Sequence, residues 1–334
     1  MSTPTNPTSP EPTAHLPWQP GTTPLMLAPM QGLTNRGLRG LFADWVKPDV
    51  LFTEFMRVRP GSKRPLSAVD QDEAASAAET DRAPLVVQLI GRDTEALLAA
   101  AEAAQAAGAR HLNINLGCPY GRMNLGSAGG ALLKDPSGLA DHLRGLRAVC
   151  RGSFSVKVRS GYDDPEQIFG LLPLFEECGV DFLVIHPRTV VQKYTGWADH
   201  RITARLVTST KLPVIANGDV TTAAEGLALL RDSGAAGLML GRGAIRDPLL
   251  FERLRGLAPA EPARGERARE IRYYIGELRD RYRLLFRGGD HQVLIKLKTV
   301  LTMLRHDPDF SRPIGKLLRT HTLEAFSELL EYLE

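Results

Sequence analysis

Short apolar runs of strand length recur along the chain, separated by segments of helix length. The runs are Leu25–Ala28, Val50–Thr53, Leu85–Ile90, His111–Asn115, Phe154–Val158, Phe182–His186, Pro213–Ala216 and Gly237–Leu240. Between them, Thr94–Ala107 is rich in Ala and Leu and is followed by Gly108, a helix stop. Asp135–Cys150, Pro165–Cys178, Arg201–Thr210 and Thr222–Ser233 read the same way. Eight strands alternating with helices over about 230 residues predict an α/β fold, a (β/α)8 TIM barrel. A doubly wound open sheet usually has fewer strands, and no G-x-G-x-x-G follows the first strand here. After Pro259 the strands stop. Arg267–Phe286, His291–Arg305 and Leu317–Leu333 read as helices. The expected organisation is a flexible Pro-rich tail over residues 1–20, a barrel over 21–258 and a small all-α C-terminal domain over 259–334.

Alternation along a strand places residues i and i+2 on one face. In Phe154–Arg159 the valines face one way and Lys157 and Arg159 the other; in the 111–115 run Asn113 and Asn115 share a face opposite Leu112 and Ile114. Gln88, His186 and Asn217 fall near the ends of the third, sixth and seventh strands. The apolar outer face of a barrel strand meets the helices, so these polar groups point to the interior at the C-terminal mouth, where such barrels build their active sites. A single inward polar residue is usually a satisfied core group. Five successive strands delivering them at one end is a different pattern.

Composition narrows the reading. The chain has 334 residues, 43% hydrophobic and 24% charged, enough apolar material for a large core. No apolar run approaches the ~20 residues of a membrane span, and the N-terminus lacks the pattern of a secretory signal. Three cysteines, Cys118, Cys150 and Cys178, are too few for a disulfide framework and fit a reducing cytoplasm. The net charge of +3 is unevenly spread: residues 264–319 hold 14 Lys/Arg against 7 Asp/Glu, which suggests a polyanionic partner. A solvated helical face is the competing explanation of that block.

Two loops suit a phosphate group. Asn217-Gly218-Asp219 follows the seventh strand and Gly241-Arg242-Gly243 the eighth, the usual phosphate position in these barrels. Cys118 follows the fourth strand between Gly117 and Pro119, and the glycine-rich stretch 126–130 beyond it suggests a segment able to close over a substrate. Cys150 and Cys178, on helices, read as buried hydrophobes. No metal site is expected.

Together these residues resemble the tRNA-dihydrouridine synthases, flavoenzymes that reduce selected uridines in tRNA. Leu27–Thr34 is similar to the family's first-strand motif, Asn113–Pro119 to its N-x-N-x-G-C-P signature, and Gly129–Asp135 to the stretch after it. Val156–Arg159, His186–Thr189, Asn217–Asp219 and Gly241-Arg242 continue the match in order, over about residues 25 to 320. Pro187 departs from it, since the family usually has Ala or Gly there. Thr53–Val58 and Ile295–Lys298 look most like the bacterial C-type subfamily, which modifies position 16 of the D-loop. The resemblance implies FMN contacts at Ala28, Pro29, Met30, Gln31, Gln88, Lys157, His186, Asn217, Gly218, Asp219, Gly241 and Arg242. It makes Cys118 the proton donor, sets Asn115 and Arg159 against the target nucleotide, and matches Arg57, Lys296, Lys298 and Arg319 to tRNA contacts. The implied electron donor is NADPH, with NADH as the other candidate, and the partner is tRNA, with no membrane and no obligatory protein partner.

The chemistry is consistent with those roles. The uracil C5=C6 bond is conjugated to the C4 carbonyl, so hydride is accepted at C6 and charge develops toward C5. No side chain supplies hydride, which calls for a redox cofactor. An ordinary thiol, with a pKa of about 8.5, is mostly protonated near pH 7 and can protonate C5. A uridine folded into tRNA has to be extruded, hence a wide basic docking surface. Two rivals remain at this level. An FMN barrel acting on a free small molecule leaves the basic helices unexplained, and a non-enzymatic RNA-binding scaffold leaves the mouth motifs unexplained.

Overall fold

The structure is a computed structural model and describes residues 16–61, 64–78, 83–120 and 128–334. Its parallel strands are β1 (Leu25–Leu27), β2 (Val50–Phe52), β3 (Met56–Arg57), β4 (Leu85–Ile90), β5 (His111–Leu116), β6 (Phe154–Arg159), β7 (Phe182–His186), β8 (Val214–Asn217) and β9 (Gly237–Leu240). β1 pairs with both β2 and β9, and β2 with β4, so eight of them close into the expected barrel. β3 is a two-residue addition that extends the sheet beside the end of β4. The seventh and eighth barrel strands are thus β8 and β9.

The helices α1 (Arg36–Trp45), α2 (Ala68–Ala75), α3 (Thr94–Ala106), α4 (Leu139–Val149), α5 (Gln167–Glu177), α6 (His200–Ser209) and α7 (Ala223–Ser233) come from the connections between barrel strands. Their ends follow local chemistry. Asn35 caps α1 by accepting from the Gly37 and Leu38 N–H groups, and a Thr222/Glu225 capping box opens α7. Gly234, at φ 67°, ends α7 in the left-handed conformation that glycine adopts without steric cost.

Inside the barrel, Met26, Phe52, Val86, Phe182, Val184, Ile215 and Met239 form a closed apolar floor. The end of the expected flexible tail joins it. Residues 1–15 lie outside the described residues, but Leu16 and Trp18 pack on this cluster, with the Trp18 ring edge-on to Phe182 at 4.9 Å. Phe182 opens β7, so this contact plugs the N-terminal end of the barrel, and residues 16–20 depart from the tail expectation. An edge-to-face aromatic pair adds about 0.5–1.5 kcal/mol to the area it buries, enough to hold a short segment down.

The C-terminal region is helical, as expected: α8 (Arg242–Arg246) and α9 (Leu250–Leu254) lead into α10 (Arg264–Leu285), α11 (Gly289–Leu304), α12 (Ser311–Leu318) and α13 (Leu323–Glu331). The single helix expected over Leu317–Leu333 is two. Its break lies at the polar stretch Thr320–Thr322, where Thr322 caps α13 through the Ala325 N–H. One continuous apolar core joins this region to the barrel: Tyr274 and Tyr282 of α10 are fully buried, and Phe42 of α1 lies 6.0 Å from the Tyr274 ring. Asn35 also donates to the Tyr282 hydroxyl at 3.1 Å. Beside them a buried ion network crosses the seam, with Arg253 and Arg267 sharing Asp247 and Glu270.

Candidate active site at the C-terminal mouth of the barrel

Strand register stacks the inward polar residues in layers. Gln88 lies opposite Asn113, and Asn113 opposite Ser155, while Asn115 lies opposite Lys157 one layer nearer the mouth. The lower layer is a closed hydrogen-bond chain. Gln88 donates to Asn113 at 2.8 Å, Asn113 donates to Ser155 at 2.8 Å, and Gln88 accepts from Asn115 at 2.8 Å. Above it opens a cavity of about 730 Å³, a size typical of a cofactor or drug-sized ligand site.

Most residues singled out from the sequence meet there. Ala28, Pro29, Met30, Gln31, Asn115, Cys118, Lys157, Arg159, His186, Asn217, Gly218, Asp219, Gly241 and Arg242 all line the cavity. The loop after β1 is held by Glu54, which accepts the Gly32 N–H at 2.9 Å. The Asn115 side-chain oxygen accepts from the Gly117 and Cys118 N–H groups at 3.0 and 2.9 Å, fixing the cysteine loop. From the other side the Gly130 N–H donates to the Cys118 carbonyl at 3.1 Å. A Cβ at Gly130 would sit 2.7 Å from Val190 and 2.9 Å from that carbonyl, so this contact requires glycine. Of the glycine-rich stretch expected to close over substrate, Gly126 and Ser127 lie outside the described residues; Ala128–Gly130 are buried.

The electrostatics are one-sided. Lys157 donates to the Asn217 side-chain oxygen at 3.0 Å, and burial, reinforced by Arg159, pushes its ammonium down to about 7. His186 is held well below its ordinary value by burial and then by Lys157, Arg159, Arg188 and Arg242, so it is neutral. Asp219 is the carboxylate among these cations. Burial would raise it, but the Ala198 N–H and Arg188 outweigh burial and hold it below the usual range. It pairs with Arg188 at 2.6 Å and Arg242 at 3.2 Å. Its backbone is left-handed, at φ 52°, next to Gly218 at φ 130°.

Several expected contacts fall elsewhere. Gln88 is 0% exposed and does not line the cavity; it supports Asn115 from below and has no free surface for a ligand. Arg159 reaches the cavity, yet its Nε and Nη1 donate to the Gly117, Thr189 and Lys193 carbonyls, so much of its guanidinium is structural. Arg57 is exposed on β3, with its guanidinium 5.6 Å from the Phe55 ring, outside the cavity that Phe55 lines. Lys296 sits 5.4 Å over the Phe286 ring and Arg319 is exposed at the end of α12. Lys298 donates to the Thr320 carbonyl and thereby ties α11 to the link after α12.

Other residues of the site were not anticipated. Arg188 is 2% exposed, bridges Asp219 and the His186 ring nitrogen, and also donates to the Gly196 carbonyl at 2.5 Å. It lies inside the matched stretch His186–Thr189, which gave it no role. Tyr194 stands between Arg159 and Arg242, each 5.3 Å from its ring, and Tyr120 and Trp197 complete an aromatic wall. Met303 of α11 also lines the cavity, so the helical region supplies part of its rim.

A closed parallel barrel with a cationic, glycine-looped cavity at its C-terminal mouth and a helical annex defines a TIM-barrel protein with a site suited to an anionic ligand. Its fold is similar to that of morphinone reductase, solved as a mutant in complex with tetrahydroNAD, with a TM-score of 0.54 at 13% identity, covering 73% of this chain and 89% of that one. The sequence is more specific. The family model for dihydrouridine synthase matches residues 26–298. The chain belongs to the dihydrouridine synthase family, and is an oxidoreductase that reduces uridine in tRNA. It is 34% identical over 265 residues to a tRNA-dihydrouridine(16) synthase of Cupriavidus necator, covering 77% of this chain and 82% of the relative. It is 37% identical over 231 residues to a probable tRNA-dihydrouridine synthase of Rhodobacter capsulatus (66% and 67% coverage). A tRNA-dihydrouridine synthase B of Proteus vulgaris is 30% identical over 324 residues, 93% and 94% of the two chains. Membership implies a flavin and a nicotinamide donor. Among the described residues no helix is long and apolar enough to cross a membrane.

Proposed function

We propose that this enzyme is FMN-dependent and NADPH-driven, and that it reduces the C5=C6 bond of uridine 16 in the tRNA D-loop. The observation that carries the reading is that Cys118, Lys157, Asn217 and Arg242 open into one cavity. The residues fit FMN. A buried ammonium with one neutral acceptor, Lys157 on Asn217, suits the electron-rich edge of an isoalloxazine. Arg242, with the Gly218 and Gly241 backbone beside it, suits the phosphate, while the Asp219 carboxylate orients the two arginines rather than meeting the phosphate itself.

When bound, the reduced flavin supplies the hydride that uracil accepts at C6. The chain's own residues do the rest. Asn115 and Gly130 hold the Cys118 loop so that its thiol stands at the cavity wall, as the acid that gives its proton to C5. Asn115 is in turn oriented by the buried Gln88. Arg159 braces the loop around Lys193 and presents the rest of its guanidinium, beside Tyr194, to the nucleotide. The helical region, with its Lys296 and Arg319, docks the tRNA together with Arg57 of β3. Position 16 is supported by the Thr53–Val58 and Ile295–Lys298 motifs and by the name of the Cupriavidus relative. A cytoplasmic location follows from the substrate.

The test is to purify the protein, record its visible spectrum, and map dihydrouridine in tRNA from a deletion strain with and without the gene. A flavin spectrum with FMN released on denaturation, and dihydrouridine 16 restored by the gene, are expected. A colourless protein, or no restored dihydrouridine, contradicts the reading. Restoration at another D-loop position contradicts the site assignment alone.

A further inference from the structure

Trp197 is 84% exposed at the rim of the cavity, although tryptophan is on average a highly buried residue. Among the described residues no aromatic ring packs on it. Its backbone, by contrast, is fixed on both sides. Arg188 donates to the Gly196 carbonyl at 2.5 Å and the Ala198 N–H donates to Asp219 at 2.8 Å. The same Arg188–Asp219 pair organises the cationic wall. A backbone anchored to a buried ion pair fixes the point from which the ring projects at the rim, so only the ordering of one side chain opposes a ligand that covers it.

The occupant follows from polymer connectivity. A uridine inserted into the cavity is attached to the RNA on both sides, so its neighbouring nucleotides have to lie across the rim. Extrusion also strips a neighbouring base of its stacking partner. An indole offers a replacement face that any base can use, and Lys193, exposed on the same loop, favours a flanking phosphate. We infer that Trp197 is a stacking platform for a nucleobase next to the uridine being reduced. The inference rests on the tRNA-reducing function above.

The experiment compares wild-type, Trp197→Ala and Trp197→Phe holoenzymes on unmodified tRNA. Trp197→Ala is expected to weaken tRNA binding between about fivefold and a hundredfold, with Trp197→Phe recovering most of it. The loss falls on the Kd for tRNA and not on KM for NADPH. Wild-type tryptophan emission is expected to be quenched by tRNA, through a component missing from Trp197→Phe; the other tryptophans, Trp18 and Trp45, are packed against Phe182 and Tyr273. If Trp197→Ala reduces and binds tRNA as the wild type does, or if its defect is in KM for NADPH instead, the platform is overturned while the function stands. If the wild-type holoenzyme neither binds nor reduces tRNA, the functional reading fails and the platform with it.

Discussion

The barrel mouth and the C-terminal helices are both rich in basic residues, but their charges do different things. At the mouth, Lys157, Arg159, Arg188 and Arg242 surround a cavity, and Asp219 pairs with the last two. Burial, reinforced by the neighbouring cations, pushes Lys157 down to about 7 and holds His186 well below its ordinary value. In the helices much of the basic block is internally matched. Arg267 pairs with Asp247, Glu270 and Asp307, Arg281 with Asp44, and Arg283 with Asp290. Arg272 and Lys298 donate to the Leu333 and Thr320 carbonyls. Two of those carboxylates, Asp44 and Asp247, lie outside residues 264–319, so the +7 balance of that segment overstates its surface charge. Four cations sharing one paired carboxylate around a cavity mark a place for an anionic ligand. Matched ones hold two parts of a fold together.

That contrast can be broken at several points, of decreasing size. Arg188→Ala removes one partner of a buried ion pair and leaves Asp219 under-compensated, so it should cost about 3–5 kcal/mol of stability and the bound flavin together. Urea unfolding and flavin content measure both; a loss of flavin with unchanged stability would mean that Arg188 acts only on the ligand.

Lys298→Ala is next. Losing a charged hydrogen bond to the Thr320 carbonyl should cost about 1.5–3 kcal/mol. This variant tests the fold of the helical region rather than its RNA contacts, and a Lys298→Ala protein with wild-type stability but weak tRNA binding would reverse that assignment.

Lys157 gives a pH-dependent test. With its pKa at about 7 in the free protein, the ammonium is largely deprotonated at pH 8; an electron-rich ligand beside it raises the pKa, so binding takes up a proton. Calorimetric titration of apoprotein with FMN at pH 8, in buffers of different ionisation enthalpy, should show uptake approaching about one proton, shrinking as the pH falls below 7. Lys157→Met should show none. Equal uptake in both proteins would place the proton elsewhere.

The smallest effect on stability belongs to the exposed face. Arg312, Lys316 and Arg319 are exposed and make no side-chain ion pair or hydrogen bond among the described residues. Replacing all three by Ala should change stability by less than about 0.5 kcal/mol at each site. The same variant should flatten the logarithmic salt dependence of tRNA binding by about two to three units. An unchanged slope would move docking to the barrel rim.

Much of this was legible in the sequence because strand alternation reports a face. The inward asparagines of β5 and Lys157 emerged that way, and the loops after β8 and β9 from their glycines and their place in the strand order. Alternation does not report depth. Gln88 was read at the mouth, but its register opposite Asn113 sets it one layer below Asn115, out of reach of a ligand. Nor does local sequence show which long-range carbonyls a cation will meet. Arg159, Arg188 and Lys298 are committed to backbone oxygens from other segments, and only the closed fold brings those oxygens near. Trp18 was hidden for a related reason: a proline-rich context reads as a tail until Phe182 is seen waiting at the barrel floor.

The central claim is that the barrel mouth carries out uridine reduction with Cys118 as the acid for C5. The most direct measurement is single-turnover formation of dihydrouridine on unmodified tRNA by pre-reduced holoenzyme, wild type against Cys118→Ala. The account predicts a rate at least about a hundredfold lower in the variant, with its flavin content and tRNA affinity retained. A variant that forms dihydrouridine at close to the wild-type rate would remove the thiol from the reaction and contradict the account.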